Sequence, residues 1–323
     1  MTKSLKKAEY IPVSPQILRP DTTITFGIFL RHDDDYVLFN AKGRSFTGDK
    51  HEELIKNDVT SIYIDKRERD FYRKYIQDHI VSLLDDESMP MEERAKAWTN
   101  SAAHLGMELF EEKLPGAAFK QRYQRFEKLV EKTASFLQTP KSLKHLSKFI
   151  GTGYEAYHHG ISTMVYTVSL MQDFEYDEYD TLACGMGALL HDIGKSTVPK
   201  DITDKDPDGF TEDEEAIVAL HPMVGVRTCA SFNLPTIAAN CILFHHERAD
   251  GKGYPTQAIS DEIPEYTKIV SLCNTYDNLT RNQPYRRAFK PFDALKMISE
   301  DEGLVDQDIL KKFIEVLGKA EIA

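Results

Sequence analysis

Eleven histidines stand in the chain, and their spacing is uneven. His32, His51, His79, His104 and His145 are scattered singly and read as ordinary structural residues. His158, His159, His191, His221, His245 and His246 fall between positions 158 and 246 and keep company with acids. In "YEAYHHG", Glu155 and His159 are four apart, so on a helix they share a face while His158 points elsewhere. In "GALLHDIGKSTVPK", an apolar run from Met186 to Leu190 ends in His191-Asp192, with Gly194, Lys195 and Pro199 behind it. Burying an adjacent imidazole and carboxylate unpartnered is costly, and a metal ion satisfies both. His221 sits in "ALHPMVG", read as part of an otherwise apolar helix. His245-His246 end the apolar run "IAANCILFHH" and open "HHERADGKGYP"; "IVSLCNTYDNL" carries Asn274 and Asp277. Several imidazoles with a carboxylate suit iron, manganese or zinc rather than calcium. Ligands so far apart in sequence meet when successive helices pack into a bundle.

The elements that would position these residues begin after Lys66. "RERDFYRKYIQDHIVSLLDD" has helical spacing of its apolar residues. Pro90 interrupts the pattern; "MEERAKAWTNSAAHLGMELFEEKL" and "FKQRYQRFEKLVEKTASFLQ" follow, separated at Pro115. Their alternating charges fit helices that pack on the C-terminal part, link it within the chain, or pair with a second copy. Before Lys66 the texture differs. "TITFGIFLRH" (Thr23 to His32) and "YVLFNAKG" (Tyr36 to Gly43) read as strands of a hairpin joined by "DDD". A short helix from Asp49 to Val59, with Asp49 as its N-cap, and a strand from Ser61 to Asp65 complete a small α+β module.

Composition narrows the function classes. A net charge of -12 argues against a nucleic-acid polymer as partner, since neutralising phosphates needs a basic face. A small phosphate ligand stays open, because a metal can supply local positive charge. Cys184, Cys229, Cys241 and Cys273 are widely spaced in apolar settings and read as reduced, buried hydrophobes. The start, "MTKSLKKAEYIPVS", has no apolar core after its basic patch, and no run reaches the roughly 18 residues of a membrane span. A cytoplasmic protein is the expectation.

His159, then His191-Asp192, then an acid-bearing helix resembles the HD superfamily of metal-dependent phosphohydrolases. "HDIGKSTVPKDI" followed by "HHERADGKGYP" is similar specifically to the HD-GYP subfamily, whose members typically hydrolyse cyclic di-GMP. The likeness runs from about residue 145 to 317, through "QPYRRAF" and "DILKKFIEVL". It implies a mainly α protein. An HD-type helical bundle would fill 141–323, behind a helical linker region (67–140) and a small α+β regulatory or docking module (1–66). The partners implied are a cyclic dinucleotide and either a second copy or a signalling partner reached through the N-terminal module.

Carried over residue by residue, the resemblance makes His159, His191, Asp192, His221, His245 and His246 metal ligands. Asp192 would bridge two metals, and Glu155 matches the extra carboxylate of members that hold three. The cofactors expected are thus two or three divalent ions, iron or manganese. Asp192 and Lys195 become the catalytic pair, with Lys195 and Tyr254 contacting substrate. The family has a metal-ligating aspartate where this chain has Asn274, and a ligand-contacting arginine where it has Gln283. Asn274 keeps an amide oxygen but loses a charge, so one metal should bind more weakly. Asp277, three residues on, would compensate, and Arg281 or Arg286 would cover part of the arginine's role. The glycines Gly251 and Gly253 permit a turn with its backbone close to the ligand, a tight turn that caps the helix ending in His245-His246, or both at once, with Glu247 and Asp250 holding that turn or orienting ligands.

The activity implied is hydrolysis of cyclic di-GMP to pGpG or GMP by a hydroxide bridging the metals. Two alternatives stand beside it. The intact histidine set favours an enzyme. Asn274 and Gln283 favour a receptor that binds cyclic dinucleotide and signals through its N-terminal module. Gln283 also raises a phosphohydrolase for another nucleotide, such as cyclic GMP-AMP.

Overall fold

In a computed structural model the described residues are 9–32, 35–110, 116–151, 153, 156–230 and 234–323, without the side chains of 108–110 and 116–122. The chain divides into two compact units, Met1–Ser101 and Ala102–Ala323.

The first unit is built on an antiparallel sheet of order β1-β6-β3-β4: β1 (Tyr10–Val13), β3 (Ile28–His32), β4 (Asp35–Asn40) and β6 (Ile62–Asp65). The hairpin of β3 and β4 forms as expected, with Leu30 opposite Val37 and His32 opposite Asp35. The single strand read over Thr23–His32 does not form. Thr22–Thr23 (β2) pairs instead with Ser45–Phe46 (β5) in a separate ribbon. The chain then crosses to the main sheet, where Glu68 accepts the Gly27 amide at 2.7 Å. Buried Ile24 and Phe26 hold that crossing, a tertiary demand that outweighs their strand propensity. β1 escaped the sequence reading. Its Pro12 is tolerated because β1 is an edge strand. Helix α1 (Gly48–Lys56) starts after Thr47, so Asp49 lies in its first turn rather than at the cap. Helices α2 (Arg69–Leu84) and α3 (Met91–Phe110) follow, with Pro90 between them.

The second unit is helical: α4 (Gly116–Phe136), α5 (Pro140–Ile150), α6 (Ala156–Asp173), α7 (Glu178–Leu190), α8 (Lys200–Thr203), α9 (Glu212–Ala219), α10 (His221–Cys229), α11 (Thr236–Phe244), α12 (Glu265–Thr280), α13 (Pro291–Glu300) and α14 (Gln307–Lys319). The start of α5 is set by Thr139 capping Ser142 N, and that of α7 by Asp177 capping Asp180 N. Helix α6 is buried from Gly160 to Met171 and packs on α7 and α12, and α7 packs on α11. All four cysteines are free and buried, as expected.

Glycines let these helices approach. A Cβ at Gly160 would stand 2.3 Å from the Leu189 carbonyl oxygen, which brings α6 against the end of α7. A Cβ at Gly194 would stand 2.0 Å from the His221 carbonyl oxygen, so the turn after Asp192 rests directly on α10. Both close contacts are with backbone, which cannot swing aside. Gly194→Ala should therefore lower stability by about 1–3 kcal/mol through overpacking. A fall in unfolding midpoint checks this; an unchanged midpoint would mean the turn has room.

Candidate metal centre

Three of the histidines stand at helix ends and solve a local problem there. The last carbonyls of a helix lack intrahelical partners. His191 follows α7, and its Nδ1 lies 2.6 Å from Ala188 O; His245 follows α11, with Nδ1 2.8 Å from Ile242 O. His221 Nδ1 lies 2.6 Å from Val218 O of α9. A carbonyl only accepts, so each Nδ1 donates, and in a neutral ring Nε2 is then the nitrogen with the lone pair. His221 thus opens α10 at a helix junction, and the expectation that it lay within one continuous helix is corrected.

These lone pairs converge on Asp192. His221 and His245 place Nε2 at 3.3 and 3.6 Å from its Oδ1, while His191 and His159 place Nε2 at 3.5 and 4.0 Å from its Oδ2. Two groups with ligand spacing result, Asp192 with His221, His245 and His246, and Asp192 with His159 and His191, sharing one carboxylate. Burial and the neighbouring imidazoles push His191 and His246 well below the ordinary histidine range, and burial pushes His245 down to about 4. These three rings are neutral near pH 7, the form that ligates metal. Burial alone would raise Asp192, but Lys195, with Nζ 2.8 Å from Oδ2, and His191 hold it well below the usual carboxylate range.

The set fits a divalent cation. Nε2 of His191, Nε2 of His246 and Oδ1 of Asp192 are buried without a hydrogen-bond partner among the described residues. Nε2 of His221 and of His245 stand 3.1 Å apart, lone pair toward lone pair. A cation satisfies all of them at once.

His159 is held differently. Its Nδ1 is 2.6 Å from Asp277 Oδ2, and its Nε2 is 2.7 Å from the Asn274 side-chain oxygen position. Asp277 therefore stands behind the ring, away from Asp192, and does not replace the missing aspartate as a ligand. It is held in turn by Arg281, whose Nε is 2.7 Å away. Burial opposes the Asp277 charge, but Arg281 and His159 keep its carboxyl below the ordinary range. Glu155 lies outside the described residues.

The cluster opens on a cavity of about 750 Å³ whose wall includes His159, Asp192, Lys195, His246 and Tyr254. Tyr254 stacks on His246 with ring centroids 4.6 Å apart. Gln283 also lines the cavity, its amide nitrogen 2.6 Å from Asn278 Oδ1. Phe210 and Tyr285 add aromatic wall that ligand-type reasoning missed, because nothing local distinguishes them from core aromatics.

The two candidate arginines differ. Arg286 does not line the cavity; its guanidinium donates to the carbonyls of Asn278 and Leu279. Arg281 does line the cavity, and its guanidinium is at the same time bonded to Asp277, Ser162 Oγ and the carbonyls of Gly153 and His158. The glycine turn caps the helix end rather than lining the cavity. A Cβ at Gly253 would stand 2.5 Å from the backbone of residues 246–248, so the turn folds onto its own helix end. Gly251, at φ +73°, makes the reversal. Neither glycine lines the cavity, and Tyr254 alone of this stretch does so beyond His246. Glu247 holds the turn, accepting Thr256 N, Thr256 Oγ1 and Ala258 N at 2.6, 2.8 and 3.2 Å. Asp250 pairs with Arg248, which also grips Asp301.

A family model described as HD domain matches residues 116–309. The chain is 29% identical over 189 residues to the cyclic di-GMP phosphodiesterase PA4108 of Pseudomonas aeruginosa, covering 58% of this chain and 45% of that one. It is 32% identical over 143 residues to the 3'3'-cGAMP-specific phosphodiesterase 3 of Vibrio cholerae, covering 44% and 31%. Among solved structures it resembles Bd1817, an HDG"Y"P protein from Bdellovibrio bacteriovorus, with a TM-score of 0.67 and 22% identity over 96% of this chain and 100% of that one; this likeness speaks to the fold. The chain belongs to the HD domain family, and it carries the sequence signature of the HD-GYP subfamily. It spans less than half the length of the curated relatives it matches. Among the described residues no helix is long and apolar enough to cross a membrane.

Proposed function

We propose that this protein is a metal-dependent phosphodiesterase that hydrolyses a cyclic dinucleotide, cyclic di-GMP in the first instance, to pGpG or GMP. The observation that carries the reading is Asp192 shared between two ligand groups on the wall of the cavity, with Lys195 beside it. The relatives named as cyclic di-GMP phosphodiesterases support it. Iron or manganese is the metal proposed, held by His159, His191, Asp192, His221, His245 and His246, with Asn274 as a neutral oxygen donor. Bound there, such ions activate a water near neutral pH and offset charge on phosphate oxygens.

The chain's own groups do the rest. Lys195 keeps Asp192 ionised, and its partly exposed side chain lines the cavity, where it would meet a phosphate oxygen. Tyr254 holds the His246 ring and presents its face to the nucleotide. Phe210 and Tyr285 offer apolar surface to a base. The N-terminal α+β module (1–66) acts as a regulatory or docking element, joined through helices of 67–140 to the catalytic bundle of 141–323. Reduced, buried cysteines accord with a cytoplasmic setting.

The test is anaerobic loading with Fe(II) or Mn(II), followed by chromatography of cyclic di-GMP and its products. Conversion is expected; tight nucleotide binding with no conversion would overturn the enzyme and leave a receptor. Lys195→Met should lower turnover by roughly 100-fold while nucleotide is still bound. Gln283 favours running cyclic GMP-AMP in parallel, since an amide offers the donor and acceptor that match an adenine edge.

A further inference from the structure

We infer that the two metal positions are unequal, because Asn274 occupies in advance the lone pair that the second position needs. This rests on the metal-binding half of the reading above and not on the substrate.

The argument is one of donors and acceptors. Asp277 is a carboxylate anchored by Arg281, so it can only accept, and the His159 Nδ1 2.6 Å away must donate. In the neutral ring the lone pair is then on Nε2, which lies 2.7 Å from the end of the Asn274 amide. An acceptor oxygen facing a lone pair at that distance is repelled. The amide instead turns its NH₂ toward Nε2 and donates, which costs only a half-turn about its last bond. A proton on Nε2 donated to the amide oxygen would remove the lone pair just the same. Either way, protein alone satisfies His159.

An aspartate at 274 could not do this. It has no N–H, so it and the Nε2 lone pair could be reconciled only by a cation or an added proton. His191 Nε2, beside His159, stays without a hydrogen-bond partner among the described residues, so the remedy covers one of the two imidazoles of that position, whereas in the other group no imidazole has it. Nε2 of His246 and Oδ1 of Asp192 have no hydrogen-bond partner among the described residues. His221 and His245 hold two Nε2 lone pairs 3.1 Å apart. The position formed by His221, His245, His246 and Asp192 is therefore preorganised for a cation. The position at His159 and His191 must first lose the Asn274 bond, and gains only a neutral oxygen in return.

The experiment uses the full chain, stripped with chelator and equilibrated with Mn(II). Retained metal is measured after desalting, and affinities are measured by calorimetry. Wild type should keep about one equivalent and bind the second at least about 10-fold more weakly, the scale of one lost hydrogen bond. Asn274→Asp should keep two equivalents, spin-coupled in the EPR spectrum. His159→Ala should still keep the tight equivalent, and His246→Ala should lose it. Two equivalents held with equal affinity by wild type, or an unchanged Asn274→Asp, would overturn the inference while leaving the metal centre standing. No retained metal in any form would overturn the metal reading as well.

Discussion

Asp192→Asn is expected to empty both ligand groups at once and to lower the proposed cyclic dinucleotide turnover by roughly 1,000-fold or more. The size of the effect follows from sharing. Each oxygen of this carboxylate serves a different set, with His221 and His245 near Oδ1 and His159 and His191 near Oδ2. A histidine change injures one set; loss of this charge injures two. The substitution keeps the volume of a fully enclosed side chain, so packing is not the cause of the loss. Lys195, ion-paired to Asp192 in the wild type, is released toward solvent, which its partial exposure allows. Metal analysis after desalting should show the drop, with far-ultraviolet circular dichroism unchanged. Full metal content in the Asp192→Asn protein would remove Asp192 from the centre of the site.

Arg281→Met should be the most destabilising of the changes considered, by about 3–5 kcal/mol. The Arg281 side chain is almost wholly buried and forms an ion pair with Asp277, itself 1% exposed. It also satisfies the carbonyls of Gly153 and His158 and the hydroxyl of Ser162. Its removal strands a buried carboxylate, and the cost of an orphaned charge exceeds the net worth of the pair. Adding Asp277→Asn to Arg281→Met should therefore recover part of the loss. Urea unfolding of the metal-free proteins measures both; a double variant no better than the single one would refute the account. The same pair gives a pH dependence. The Asp277 carboxyl is held below its ordinary value in the folded state. Its contribution is full above the unfolded value, near 3.9, and is lost as pH falls through the folded one.

The two changes divide the site into a metal face and a rear support. Asp192 gathers the imidazoles, whereas Arg281 and Asp277 act behind His159. Arg281→Met should for that reason also loosen metal at the His159 position, because the ring loses the anchored acceptor that fixes its tautomer.

Much of this was legible without a fold. The ligand types were, because each apolar run that ends in histidine marks a helix end, and buried imidazoles beside a carboxylate call for a cation. The hairpin was, because alternation and a turn are local properties. Tertiary structure alone decided the rest, because the deciding contacts join distant residues. His159 and Asp277 are 118 positions apart, and only their packing shows that Asp277 grips Nδ1 from behind rather than facing the metal. The sequence offered Arg281 and Arg286 as equal candidates for the ligand. Packing leaves the first on the cavity wall, bonded to Asp277 and to the carbonyls of Gly153 and His158, and turns the second away onto the carbonyls of Asn278 and Leu279. The glycines of "DGKGYP" could have faced the nucleotide or their own helix end; steric contact at Gly253 chose the helix end. Residue type and periodicity determine which groups are available. Which atom of each group faces the cavity depends on hydrogen bonds made across the bundle, and those exist only once it has folded.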